Sequence, residues 1–93
     1  MKVILSESQV NRSVEIFNKL MNANKYEHVC RIMVDYDDEF DKYVLNIFFS
    51  RDFAVNNKNF TRFKNITTNE IGERFLNWAG LNPILYMHFE KCS

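Results

Sequence analysis

The chain has 93 residues, enough for one hydrophobic core and too few for two, and carries twelve basic against twelve acidic residues for no net charge. Apolar residues make up 46% and aromatics 15%, with two Gly and one Pro, which excludes a disordered, collagen-like or linker chain. The balanced charge lacks the basic excess with which dedicated nucleic-acid binders neutralise phosphates, and no apolar run approaches the ~20 residues of a membrane helix.

The opening apolar run, Val3 to Leu5, is too short for the core of a signal peptide, which points to a cytosolic protein. Residues 2–5 are β-prone and predict a first strand. Ser6 and Gln9 then fit a capping box, the serine hydroxyl accepting from the Gln9 amide and the glutamine reaching back. Val10, Val14, Phe17 and Met21 recur at spacings of one helical turn and predict a helix over 7–22. Its other face carries Asn11, Arg12, Glu15, Asn18 and Lys19, and a polar turn follows over 22–25.

Alternation predicts a strand from His28 to Tyr36 and another from Tyr43 to Arg51, joined by the acidic and polar residues 37–42 into an antiparallel hairpin. Residues 52–66 read as a short strand or ordered loop with a turn at 56–59. Thr67 and Glu70 form a second capping box, and Ile71, Phe75, Trp78 and Ala79 continue at helical spacing. Gly80 occupies the left-handed cap position, and Pro83 prevents continuation. A last strand runs over 84–89. The order β-α-β-β-α-β predicts a single α+β domain over residues 1–93 with the ferredoxin-like split β-α-β sandwich. Two helices would cover one face of a four-stranded antiparallel sheet, with strand order fourth, first, third, second.

In that order Cys30 and Cys92 sit at opposite edges, so the expectation is two free thiols, with Cys30 a small core residue. His28, Cys30, His88 and Cys92 lack the paired spacing of a zinc site, and the run 35–41 lacks the glycine and distant glutamate of a calcium loop. No metal and no cofactor are expected. Nor is there a nucleophile elbow, a phosphate-binding glycine loop or a Cys-His dyad at motif spacing. The expectation is therefore no enzyme and no small-molecule substrate.

Two surfaces remain. Val29, Met33, Val44 and Phe48 would face outward together on neighbouring strands and form an apolar patch for a protein partner or a second copy, unless residues 52–66 fold back over it. The alternative is the basic-aromatic stretch Arg51, Phe53, Lys58, Phe60, Arg62 and Lys64, whose interleaved cations and rings suit single-stranded nucleic acid. The octamer of RNA-recognition modules is missing from it.

The opening Met1 to Gln9, a Lys-apolar-Ser-Glu-Ser-Gln segment leading into a helix, resembles the start of small uncharacterised bacteriophage proteins. Some of these also end in a helix and a short strand, as Phe75 to Phe89 does here. The resemblance is close over Met1 to Gln9 and extends further only in layout. It implies a phage origin and a virion-associated role, and it carries over no functional residue. The expected function is thus a non-enzymatic, phage-encoded protein-interaction module in the cytoplasm of the producing host cell or in the virion. Single-stranded nucleic-acid binding and a host-takeover or regulatory role are the alternatives.

Overall fold

The structure, a computed structural model, describes residues 7–92. The predicted strand over residues 2–5 and the capping Ser6 lie outside the described residues. Helix α1 (Glu7–Ala23) matches the predicted span to within a residue. Met21 is wholly buried, and Val14 and Phe17 pack against the core from the same stripe. Strands β1 (Val29–Asp37) and β2 (Lys42–Ser50) form the predicted antiparallel hairpin. Its tip is organised by Asp37, whose Oδ1 accepts from the Glu39 and Phe40 amides at 2.9 and 3.3 Å. Asp41 turns the chain back with φ 56°.

Residues 52–66 are helical rather than a strand or loop. Helix α2 (Arg51–Asn56) is capped by Ser50, whose hydroxyl accepts from the Phe53 amide, and α3 (Phe60–Ala79) follows after a three-residue break. The long helix begins at Phe60, not Thr67. Thr67 and Thr68 are buried inside it and cap nothing, while Ile71 and Phe75 reach the core. Its far end is as predicted: Gly80 stands at φ 72° and donates its N–H to the Leu76 carbonyl at 2.8 Å. No described helix is long and apolar enough to cross a membrane.

Strand β3 (Ile84–Glu90) pairs with β2 in parallel, from Val44 beside Ile84 to Ser50 beside Glu90. The described sheet is therefore three-stranded and mixed, ordered β1-β2-β3, with three helices. The ferredoxin-like expectation of a four-stranded antiparallel sheet is overturned, for a plain geometric reason. That fold seats its first strand between the two partners of the second crossover, and here those partners hydrogen-bond directly to each other. The crossover through α2 and α3 brings β3 back alongside β2 in the same direction, as a helical connection does.

The core lies between the helices and the inner face of the sheet. Ile32 and Val34 of β1 and Tyr43, Leu45, Ile47 and Phe49 of β2 meet Met21, Phe60, Ile71 and Phe75. Phe17 packs edge-on against Tyr43 and Phe75, with centroids 5.2 and 5.0 Å away. Gly72 lets α3 approach β3, since a Cβ there would sit 3.2 Å from Leu85.

The cysteines are not free. Cys30 and Cys92 form a disulfide, their Cα atoms 5.3 Å apart. Two departures from the expected sheet bring them together. With three strands, only β2 separates the edges, and β2 gives way to α2 at Ser50. The segment after β3 then reaches β1 past that point, where a bulge between Val29 and Arg31 places Cys30 as the extra residue.

Candidate functional site

All three helices lie on the inner face, so the alternate residues of each strand build an outer face free of them. Its rows follow from the register: Asp35, Val44 and Ile84; then Met33, Asn46 and Tyr86; then Arg31, Phe48 and His88. The third row is a stack. The Arg31 guanidinium carbon lies 4.2 Å from the centroid of the Phe48 ring. The His88 imidazole stacks on the same ring from β3, at 4.7 Å and 20°. With neighbours on both flanking strands, both faces of the Phe48 ring are covered.

Hydrogen bonds fix the two outer members. Arg31 donates Nε to both carboxylate oxygens of Glu90, at 3.3 and 3.2 Å, and Nη2 to Oε1 at 3.2 Å. An exposed pair of this kind adds only about 0–1 kcal/mol, so its main effect is orientation. Nε2 of His88 donates to Asn46 Oδ1 at 2.8 Å, which selects the imidazole tautomer. Met33 and Tyr86 flank the stack and are 40% and 50% exposed.

Of the four residues expected at a protein interface, Met33, Val44 and Phe48 share this face. Val29 does not, because the bulge sets it opposite Phe49 and turns it into the core. Val44 is on the face but only 7% exposed, so Met33 and the rim of Phe48 offer most of the expected surface. Arg31, Tyr86 and His88 were not foreseen. The alternation of the last strand places Tyr86 and His88 together on one side, and that signal could have found them. Residues 52–66 do not fold over this face, because Phe53, Phe60 and Phe63 pack into the opposite layer.

The basic-aromatic stretch separates into two sides. Arg51, Lys58 and Arg62 are exposed and Lys64 half-exposed, whereas Phe60 is in the core. Phe53 stacks on His28 at 3.6 Å and 6°, and meets Phe60 and Phe63 edge-on. The rings are thus engaged on the inward side of α2 and α3, and the cations are not interleaved with free aromatic faces.

Cys30 is brought to Cys92, but the disulfide takes both thiols out of the four-residue set considered for zinc, and the His28 ring stacks on Phe53. Among the described residues, no group of three or more His, Cys, Asp or Glu is placed to hold a metal ion. A cleft of about 310 Å³ beside the disulfide is lined by Asn22, Asn24, Lys25, Tyr26 and Arg31, with no carboxylate or imidazole to serve as a general base. Comparison with protein families, curated proteins and solved structures finds no match to this chain.

Proposed function

We propose that the chain is a non-enzymatic protein-interaction module that meets a protein partner through the outer face of its sheet. The supporting observation is the fixed stack of Arg31, Phe48 and His88, flanked by exposed Met33 and Tyr86. Arg, Tyr, Phe and Met are the residue types enriched where protein interfaces are most buried. A prearranged stack also loses little side-chain freedom when covered. A protein suits this face better than single-stranded nucleic acid. Base stacking needs a free ring face, and Phe48 has none; phosphate needs an unspent cation, and Arg31 already faces Glu90. The helix segment 51–64 supports the nucleic-acid alternative only through its charge.

The phage origin, and with it a virion or host-takeover role, rests on the resemblance of Met1 to Gln9 alone. Residence in the cytoplasm of the producing cell goes with that reading. The Cys30–Cys92 disulfide counts against it, because cytosolic thiol pools keep cysteines reduced; alkylating the protein as it leaves that cell should label both thiols, and no labelling would overturn cytoplasmic residence.

The test of the interaction reading is a binding measurement on the wild-type chain and on Met33→Asp and Phe48→Ala, with circular dichroism checking the fold. A partner recovered from the producing cell should bind wild type and lose at least tenfold in affinity to each variant. Equal binding to all three, no retained protein, or salt-dependent binding to an oligothymidine instead would overturn it.

A further inference from the structure

The two edges of the sheet are finished differently. On β1, the side-chain amides of Asn18 and Asn22 bond the backbone of Val34 and Ile32, so that edge is occupied by α1. On β3, no strand or helix amide pairs with the outer edge among the described residues, and the sheet order ends there. Edge strands are commonly guarded by an inward lysine, a proline within the strand or a bulge. The sequence of β3, Ile84-Leu85-Tyr86-Met87-His88-Phe89-Glu90, has none of these along its length, and its pairing with β2 is unbroken.

The core layer also runs out to this edge. Leu85, Met87 and Phe89 continue the inner-face rows of Leu45, Ile47 and Phe49. Those three β2 residues are fully buried, yet Met87 and Phe89 remain 40% and 45% exposed. The Phe89 ring lies 5.5 Å from Phe60 and 6.5 Å from Phe49, so it extends a packed aromatic cluster that stops at the rim.

We infer that β3 pairs edge to edge, antiparallel, with β3 of a second copy of this chain, giving a twofold dimer with one continuous six-stranded sheet. The strand is self-complementary about Met87. Antiparallel pairing centred there sets Leu85 against Phe89 and Met87 against Met87 on the helix side. On the outer side it sets Tyr86 against His88 and Ile84 against Glu90. Residues directly opposite share a face, so apolar meets apolar and no like charges are opposed. The single charge in the strand, Glu90, is already held by Arg31. A chain of zero net charge adds no long-range repulsion between copies. This contact uses the rim of the sheet rather than its outer face, and it stands independently of the reading above.

Sedimentation velocity on the full chain at roughly 100 µM tests it, with Met87→Lys and Met87→Cys as the variants. Wild type should sediment at twice the 11.2 kDa chain mass. Met87→Lys opposes two ammonium groups across the axis and should sediment as a monomer with unchanged circular dichroism. In Met87→Cys the two Cβ atoms stand about 5 Å apart on the axis, and mild oxidation should join the chains as a reducible dimer. Phe48→Ala, on the outer face, should remain a dimer. A monomeric wild type overturns the proposal. So does a dimer that survives Met87→Lys and fails to cross-link through Met87→Cys.

Discussion

Asn18 and Val34 exchange two hydrogen bonds: the Val34 amide donates to Asn18 Oδ1 at 2.6 Å, and Asn18 Nδ2 donates to the Val34 carbonyl at 3.2 Å. One helical turn later Asn22 does the same with Ile32, at 3.0 and 2.7 Å. The repeat works because four residues of helix rise ~6 Å and two of strand ~6.7 Å, so amides at i and i+4 meet alternate strand residues. Helix α1 thereby stands in for a missing neighbour strand.

Removing those amides should be costly for exposed-looking polar residues. Asn18→Ala leaves a donor and an acceptor of β1 without partners and should lower stability by about 1–2 kcal/mol, and the double variant with Asn22→Ala by about 2–4 kcal/mol. Urea unfolding measures both. Losses within the few tenths of a kcal/mol typical of surface changes would show that water replaces the amides without penalty.

The disulfide closes a loop across a sequence separation of 62 residues. A loop of that length restricts the unfolded chain enough to stabilise the native state by about 2–4 kcal/mol. Cys92→Ser, or reduction by dithiothreitol, should lower the melting temperature correspondingly while leaving the sheet intact by circular dichroism. A melting temperature that ignores reduction would mean that the bridge constrains nothing the fold does not already hold.

Tyr26 carries a buried hydroxyl with no hydrogen-bond partner among the described residues. Burial raises its pKa above the usual 10.0; the nearby Arg74 guanidinium lowers it and Glu70 adds to the rise. A phenol that holds its proton more firmly when folded contributes stability that is complete below the unfolded pKa. That contribution is lost as pH climbs through the folded pKa. Alkaline difference spectroscopy should therefore show a late-titrating phenol, and Tyr26→Phe should abolish that step. At neutral pH the same variant should be as stable as wild type, or more so by up to about 1 kcal/mol, since it removes an unmet hydroxyl. A late step that persists in Tyr26→Phe would count against this assignment.

The parts of the fold legible in the sequence are those set by local periodicity. Val10, Val14, Phe17 and Met21 mark α1, strict alternation marks the hairpin, and Gly80 with Pro83 marks the end of α3. The start of α3 was hidden by its own composition. Asn56 to Asn59 reads as a turn, and it is one, but the helix resumes at once through Phe60 and Phe63. Thr67 and Thr68 then mimic a cap because β-branched hydroxyl residues are commoner there than in buried helix interiors. The direction of β3 and the contact between Cys30 and Cys92 are long-range facts that no local pattern encodes. Likewise the helical pattern puts Asn18 on the solvent side, although its partner is the backbone of another element. At the candidate site, Met33 and Phe48 followed from alternation. Val29 failed because one bulge residue reverses the faces of everything before it.

The Cys30–Cys92 linkage divides the molecule into a covalent ring and a tail. Tension applied to the two chain ends travels through the sulfurs and bypasses everything between them, so among the described helices α1 is the one in the path of the load. Stretched to its limit, the oxidised chain would lengthen to about 100 Å, where the reduced chain would reach about 300 Å. Mechanically, the sheet and the helices α2 and α3 are a closed knot of fixed length, hung from a helix that can peel away.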